Sequence, residues 1–156
     1  STRKESSAAS DVYKRQKSSS ELASALEKNE IPAEIASHVI ARFTEVELID
    51  DAAFAQQVVD ASRRTKGLAR SMVKRKLADK GLNREIIDQV ASGISDEDEL
   101  SVATEVAIKR LGQLSKLDPE VRNRRLVGFL QRRGFGSGVV FAAIREAEAH
   151  AVKSGF

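Results

Sequence analysis

Apolar residues recur along the chain in a pattern that repeats three times. The first passage has Leu22, Leu26 and Ile31, then Ile35 and Val39; the second has Val73, Leu77 and Leu82, then Ile86 and Val90. The third has Leu126, Leu130 and Phe135, then Val139 and Ala143. The offsets are 51 and 53 residues, a spacing that marks a repeated structural unit. Apolar residues four apart share one helix face, so each passage predicts a helical hairpin. Gly81 and Gly134 stand at the break in the second and third repeats and Glu30 in the first, where a left-handed residue would end the first helix. The apolar residue just beyond it can then pack back. Pro32, Asn83 and Ser137 fall at the start of each second helix, where a fixed φ or a capping oxygen is useful.

A third helix is expected after the first two hairpins. Asp50 is read as an N-cap with Asp51 in the first turn, followed by a face of Phe54, Val58 and Ala61. The acidic run Asp96 to Glu99 opens the equivalent helix, with Leu100, Ala103, Ala107 and Leu111 behind it. The prediction is therefore all-α, with eight helices near 20–29, 33–45, 51–64, 69–80, 84–92, 97–112, 119–132 and 137–150. Units too small to hold a large core gain by stacking on their neighbours, which predicts tandem three-helix repeats in an elongated, curved array. The repeats are placed at 20–66, 67–115 and 116–156, the last incomplete.

Residues 1–19 are polar, serine-rich and aperiodic and read as a tail. Within it, Ser7 to Gln16 (SAASDVYKRQ) resembles a translated sequencing-adapter artefact. On that expectation residues 1–16 are foreign and the native N-terminus is missing. Their removal lowers the net charge from +3 to about +1.

The distribution of charge says more than its total. Eight acids face two bases between Glu21 and Asp51, whereas Ala61–Ala78 holds seven bases and no acid. Six further bases and no acid lie between Val121 and Arg145. Such asymmetry points to a polyanion or an acidic partner. The candidate contact residues are Arg63, Arg64, Lys66, Arg70, Lys74 and Arg75, with a second set of Arg122, Arg124, Arg125, Arg132 and Arg133. Arg70, Lys74 and Arg75 fall off the apolar arc of their helix and are expected to face outward, while Lys76 lies nearer that arc and is expected to snorkel.

Signs of catalysis are lacking. The chain has no cysteine, and its two histidines, His38 and His150, have no neighbours at ligand spacing. The string Gly134 to Gly138 lacks the lysine of a phosphate loop and reads as an interhelical turn. Phe54, Phe129 and Phe135 sit at core spacing. No enzyme activity, metal or cofactor is expected. No apolar run approaches a membrane span, and a cytoplasmic, monomeric protein is expected.

Three blocks carry a family resemblance. Leu48-Ile49-Asp50-Asp51-Ala52-Ala53-Phe54-Ala55 is followed by Arg63, Arg64, Lys66-Gly67, Arg70, Leu77 and Lys80-Gly81-Leu82; then comes Phe129-Leu130 with Arg133-Gly134-Phe135. In this order the blocks resemble the RecX family over residues 20–148. The resemblance implies tandem three-helix repeats that bind RecA–single-stranded-DNA filaments, chiefly inhibiting ATP hydrolysis, strand exchange and co-protease activity. It implies a role in DNA repair, recombination and the SOS response. The competing reading is a helical DNA-binding module acting without RecA.

Overall fold

Local stop signals decide where the helices end. The computed structural model describes residues 19–155, all of whose regular structure is helical. Seven helices follow one another: α1 (Ser19–Lys28), α2 (Ala33–Arg64), α3 (Arg70–Asp79), α4 (Arg84–Ser92), α5 (Asp96–Gln113), α6 (Pro119–Arg132) and α7 (Ser137–Lys153). Apart from the last residue or so, the expected tail lies outside the described residues, as does the suspected artefact.

The two helices expected at 33–45 and 51–64 are one. Between Glu45 and Asp51 there is no glycine or proline to stop the chain, and an aspartate inside a helix costs only a few tenths of a kcal/mol, about 0.7 at most. Asp50 and Asp51 are therefore not at a cap but in the middle of α2. The buried face of this stretch is Asp51, Phe54, Ala55, Val59 and Ser62, with Val58 only half-buried and Ala61 exposed.

The described residues divide into two compact units, with the division after Phe54. In the first, Leu22, Leu26 and Ile31 are half-buried, but Ile35 and Val39 are exposed. The apolar face expected of the first hairpin is thus only partly closed.

The second unit holds the main core. Ala103, Ala107 and Leu111 of α5 pack with Leu126 and Leu130 of α6 and with Val140, Ala143, Ile144 and Ala147 of α7. Alanines facing one another let α5 and α7 approach closely, and this is the most extensive helix pairing in the unit. The glycine caps form as expected. Gly81 and Gly134 have φ of +85° and +96°, and Glu30 takes the same left-handed region at +57°. In all three repeats the residue after the cap donates its N–H five residues back: Ile31 to Leu26, Leu82 to Leu77 and Phe135 to Leu130. Asn83 caps α4 by accepting from Ile86 N–H at 2.9 Å. Ser137, in contrast, is the first residue of α7, and Gly136 occupies its cap without a side-chain bond.

The C-terminus of α6 is tied to the start of α3. Ala69 N–H donates to Arg133 O at 3.0 Å, and Ser71 Oγ donates to Gly134 O at 2.8 Å. Carbonyls that the end of α6 would leave unpaired are thereby satisfied from the beginning of another helix.

Candidate anion-binding cavity

The basic run Ala61–Ala78 begins in the last turn of α2 and continues through the next loop into α3. Its members have different fates. Arg63 turns inward: Nη1 donates to the Glu99 carboxylate and to Leu68 O at 3.2 Å, and the side chain is only 10% exposed. Glu99 also accepts from the main-chain N–H of Arg70, at 3.2 Å to each oxygen. One buried carboxylate thus joins the end of α2, the start of α3 and the first turns of α5.

Arg70 was expected to face outward, yet its guanidinium is held within the chain. It donates to Ile94 O at 3.0 Å and to Asp96, and lies 3.7 Å from Glu99. The Asp96 hydrogen bond raises the guanidinium above its ordinary value, against a smaller opposing effect of desolvation. Lys74 also has an internal partner, Asp88 of α4 at 3.5 Å, although it stays half exposed. The helical wheel of α3 alone could not foresee these contacts, because it shows neither the acidic start of α5 nor Asp88. Arg64, Lys66 and Arg75 remain exposed. Lys76 is half-buried, as snorkelling requires; burial, followed by the nearby Lys66 ammonium, lowers its pKa.

The second set does not form one patch. Arg122, Arg124 and Arg125 lie in the first two turns of α6 and Arg132 and Arg133 at its end. That is a separation of roughly 15 Å along a helix. Arg124, Arg125 and Arg132 are exposed and Arg122 half-buried. Arg133 folds back, donating Nη1 to Lys66 O and stacking 4.6 Å from the Phe129 ring centroid. Arg110 of α5 stacks on the same ring at 4.7 Å. Phe129, expected in the core, is instead half-buried between two guanidinium groups.

These residues surround a cavity of about 450 Å³. Arg64, Lys66, Lys109, Arg110 and Arg133 line it alongside the buried Arg63, with Glu105 as the one carboxylate. The last turns of α2, α5 and α6 all contribute, so cations there also offset three negative helix ends. Lys109 and Arg110 were missed in the sequence because they fall between the two basic runs. Only the topology brings them to Arg64 and Arg133. Among the described residues no group of histidines and carboxylates could hold a metal ion, and no helix is long and apolar enough to cross a membrane.

The helices that frame the cavity match known proteins. The model of the RecX second three-helix domain matches residues 50–90, and that of the third three-helix domain matches residues 96–144. A protein named regulatory protein RecX from Streptomyces coelicolor is 40% identical over 127 residues, spanning 81% of this chain and 68% of the relative. The chain belongs to the RecX family. A second RecX relative, from Thermobifida fusca, is 36% identical over 137 residues, spanning 87% of this chain and 74% of its own. The crystal structure of RecX from Lactobacillus salivarius shares the fold, with a TM-score of 0.63 and 20% identity over 94% of this chain and 96% of that one. The second-domain match takes in the latter part of α2 with α3 and most of α4. The third-domain match takes in α5, α6 and the first half of α7, and the cavity lies where the second and third RecX domains meet.

Proposed function

We propose that this chain regulates RecA by binding the RecA–single-stranded-DNA filament and lowering its ATP hydrolysis, strand exchange and co-protease activity. Family membership supports the reading, since the related proteins carry the name regulatory protein RecX. The observation that carries the contact surface is a set of exposed cations outside the internal pairs. Arg64, Lys66, Arg75, Arg124, Arg125 and Arg132 are exposed, and none enters an ion pair among the described residues. Exposed cations of this kind steer a protein toward a polyanion. Arg63 and Arg70, whose charges are matched inside the chain, act by shaping this surface. The protein works in the cytoplasm as a monomer and carries out no chemistry itself.

Titration into RecA on single-stranded DNA, following ATP hydrolysis, tests the proposal. Inhibition at stoichiometric ratios, weakened in Arg64→Glu/Arg75→Glu, is expected; an unchanged ATPase rejects an inhibitory role. Tight, steeply salt-dependent DNA binding with no effect on RecA would favour the RecA-independent module instead.

A further inference from the structure

Two arginines that line the cavity between α2, α5 and α6 carry buried nitrogens that the chain itself leaves unused. Arg63 Nη2 and Arg110 Nε are buried nitrogens with no hydrogen-bond partner, and both residues line the cavity. The arginines are fixed through other atoms. Arg63 Nη1 is held by Glu99 and Leu68, and Arg110 Nη1 donates to Gln113 Oε1 at 2.8 Å. Fixing each guanidinium through one nitrogen holds its positive charge at the cavity wall in advance of any ligand. Leaving such a donor buried and unpaired is unfavourable.

Charge, shape and size narrow the acceptor. Glu99 neutralises Arg63, yet Arg64, Lys66, Lys109, Arg110 and Arg133 still face only Glu105 around the cavity. These cations come from the ends of three different helices and therefore converge from several directions. A single guanidinium fork suffices for a planar carboxylate, whereas donors arriving from several sides suit the tetrahedral oxygens of a phosphate. Val102, Val106 and Phe129 supply apolar wall. A volume of about 450 Å³ exceeds what a bare phosphate needs and falls within the range of small-molecule sites.

We propose that this cavity is a phosphate-binding site that receives the phosphate of a nucleotide, free or as a unit of single-stranded nucleic acid. The site deepens the function proposed above but does not depend on it, because phosphate recognition can be measured without RecA.

Isothermal titration calorimetry on the full chain, at constant ionic strength, tests the site with inorganic phosphate, AMP and a short oligothymidylate. Arg64→Glu/Lys109→Glu removes two exposed cations of the cavity. Lys116→Glu/Lys153→Glu makes the same charge change at exposed positions outside it. Saturable binding at one site is expected, weakened about tenfold or more in the cavity variant, as loss of charge-assisted hydrogen bonds implies, and unchanged in the control. AMP binding that phosphate displaces, without oligonucleotide binding, identifies a free nucleotide. Oligonucleotide binding that phosphate displaces identifies nucleic acid. No saturable binding of any probe, equal weakening in both variants, or binding of oligoglutamate alone would overturn the proposal. Phosphate binding that survives alongside an unaffected RecA ATPase would defeat only the RecA reading.

Discussion

Glu30 occupies the left-handed position that glycine takes in the other two repeats. An L-residue there is strained by roughly 1–2 kcal/mol, partly offset because glycine loses more entropy on folding. Glu30→Gly is therefore expected to stabilise the first hairpin by up to about 1 kcal/mol, read from urea denaturation followed by circular dichroism. Asp51, within α2, is a second unfavourable position. Asp51 is buried, its Oδ1 has no partner, and its pKa is raised by burial and then by Glu47 and Asp50. A carboxyl group whose folded pKa lies above its unfolded value holds its proton more tightly in the native state. Stability then falls as pH rises from the ordinary 3.8 through the raised value. Asp51→Asn should stabilise at neutral pH by on the order of 1 kcal/mol, and the gain should vanish below pH 3.8. A gain that persists undiminished in acid would show that charge burial is not its source.

Helix ends explain why some elements were legible in the sequence and one was not. A cap is a local event, decided by Gly81, Gly134 or Asn83 and the few residues before and after it, so three hairpin breaks could be placed from spacing alone. The expected break before Asp51 rested on the capping preference of aspartate, with no glycine or proline to enforce it, and α2 runs through. Two similar caps also differ in a way that no sequence pattern reveals. A Cβ added at Gly81 meets nothing within 4 Å, whereas one at Gly134 would lie 2.4 Å from Met72 Cγ and 2.9 Å from Ser71 Oγ. Gly81→Ala should cost only the backbone strain, about 1 kcal/mol. Gly134→Ala adds overpacking where α6 meets α3 and should cost about 3 kcal/mol. Thermal unfolding of the two variants side by side measures the difference, and equal losses would remove the close approach as an explanation.

Across the whole molecule, the sequence reading located the basic runs but could not show which charges were already committed. Arg63 and Glu99 are 36 residues apart, and neither spacing nor helical periodicity relates them; only the path of the chain does. The same is true of Lys109 and Arg110, which join Arg64 and Arg133 across three helix ends. Glu99 is the centre of this arrangement, because it neutralises Arg63 and accepts the first N–H of α3 while belonging to α5. Removing one member of a buried pair leaves the other charge uncompensated, at a cost of about 3–5 kcal/mol. Glu99→Gln keeps the shape, and its amide oxygen can still accept from Arg70 N–H, so the loss should fall near the low end, about 3 kcal/mol. Since Glu99 ties together three helices of the second compact unit, the loss should appear as one cooperative transition moved to lower urea with its slope retained. Arg63→Met/Glu99→Gln, which removes both charges and keeps an acceptor for Arg70 N–H, should recover much of it. If the double variant were no more stable than Glu99→Gln, Glu99 would owe its burial to packing and not to the charge it shares with Arg63.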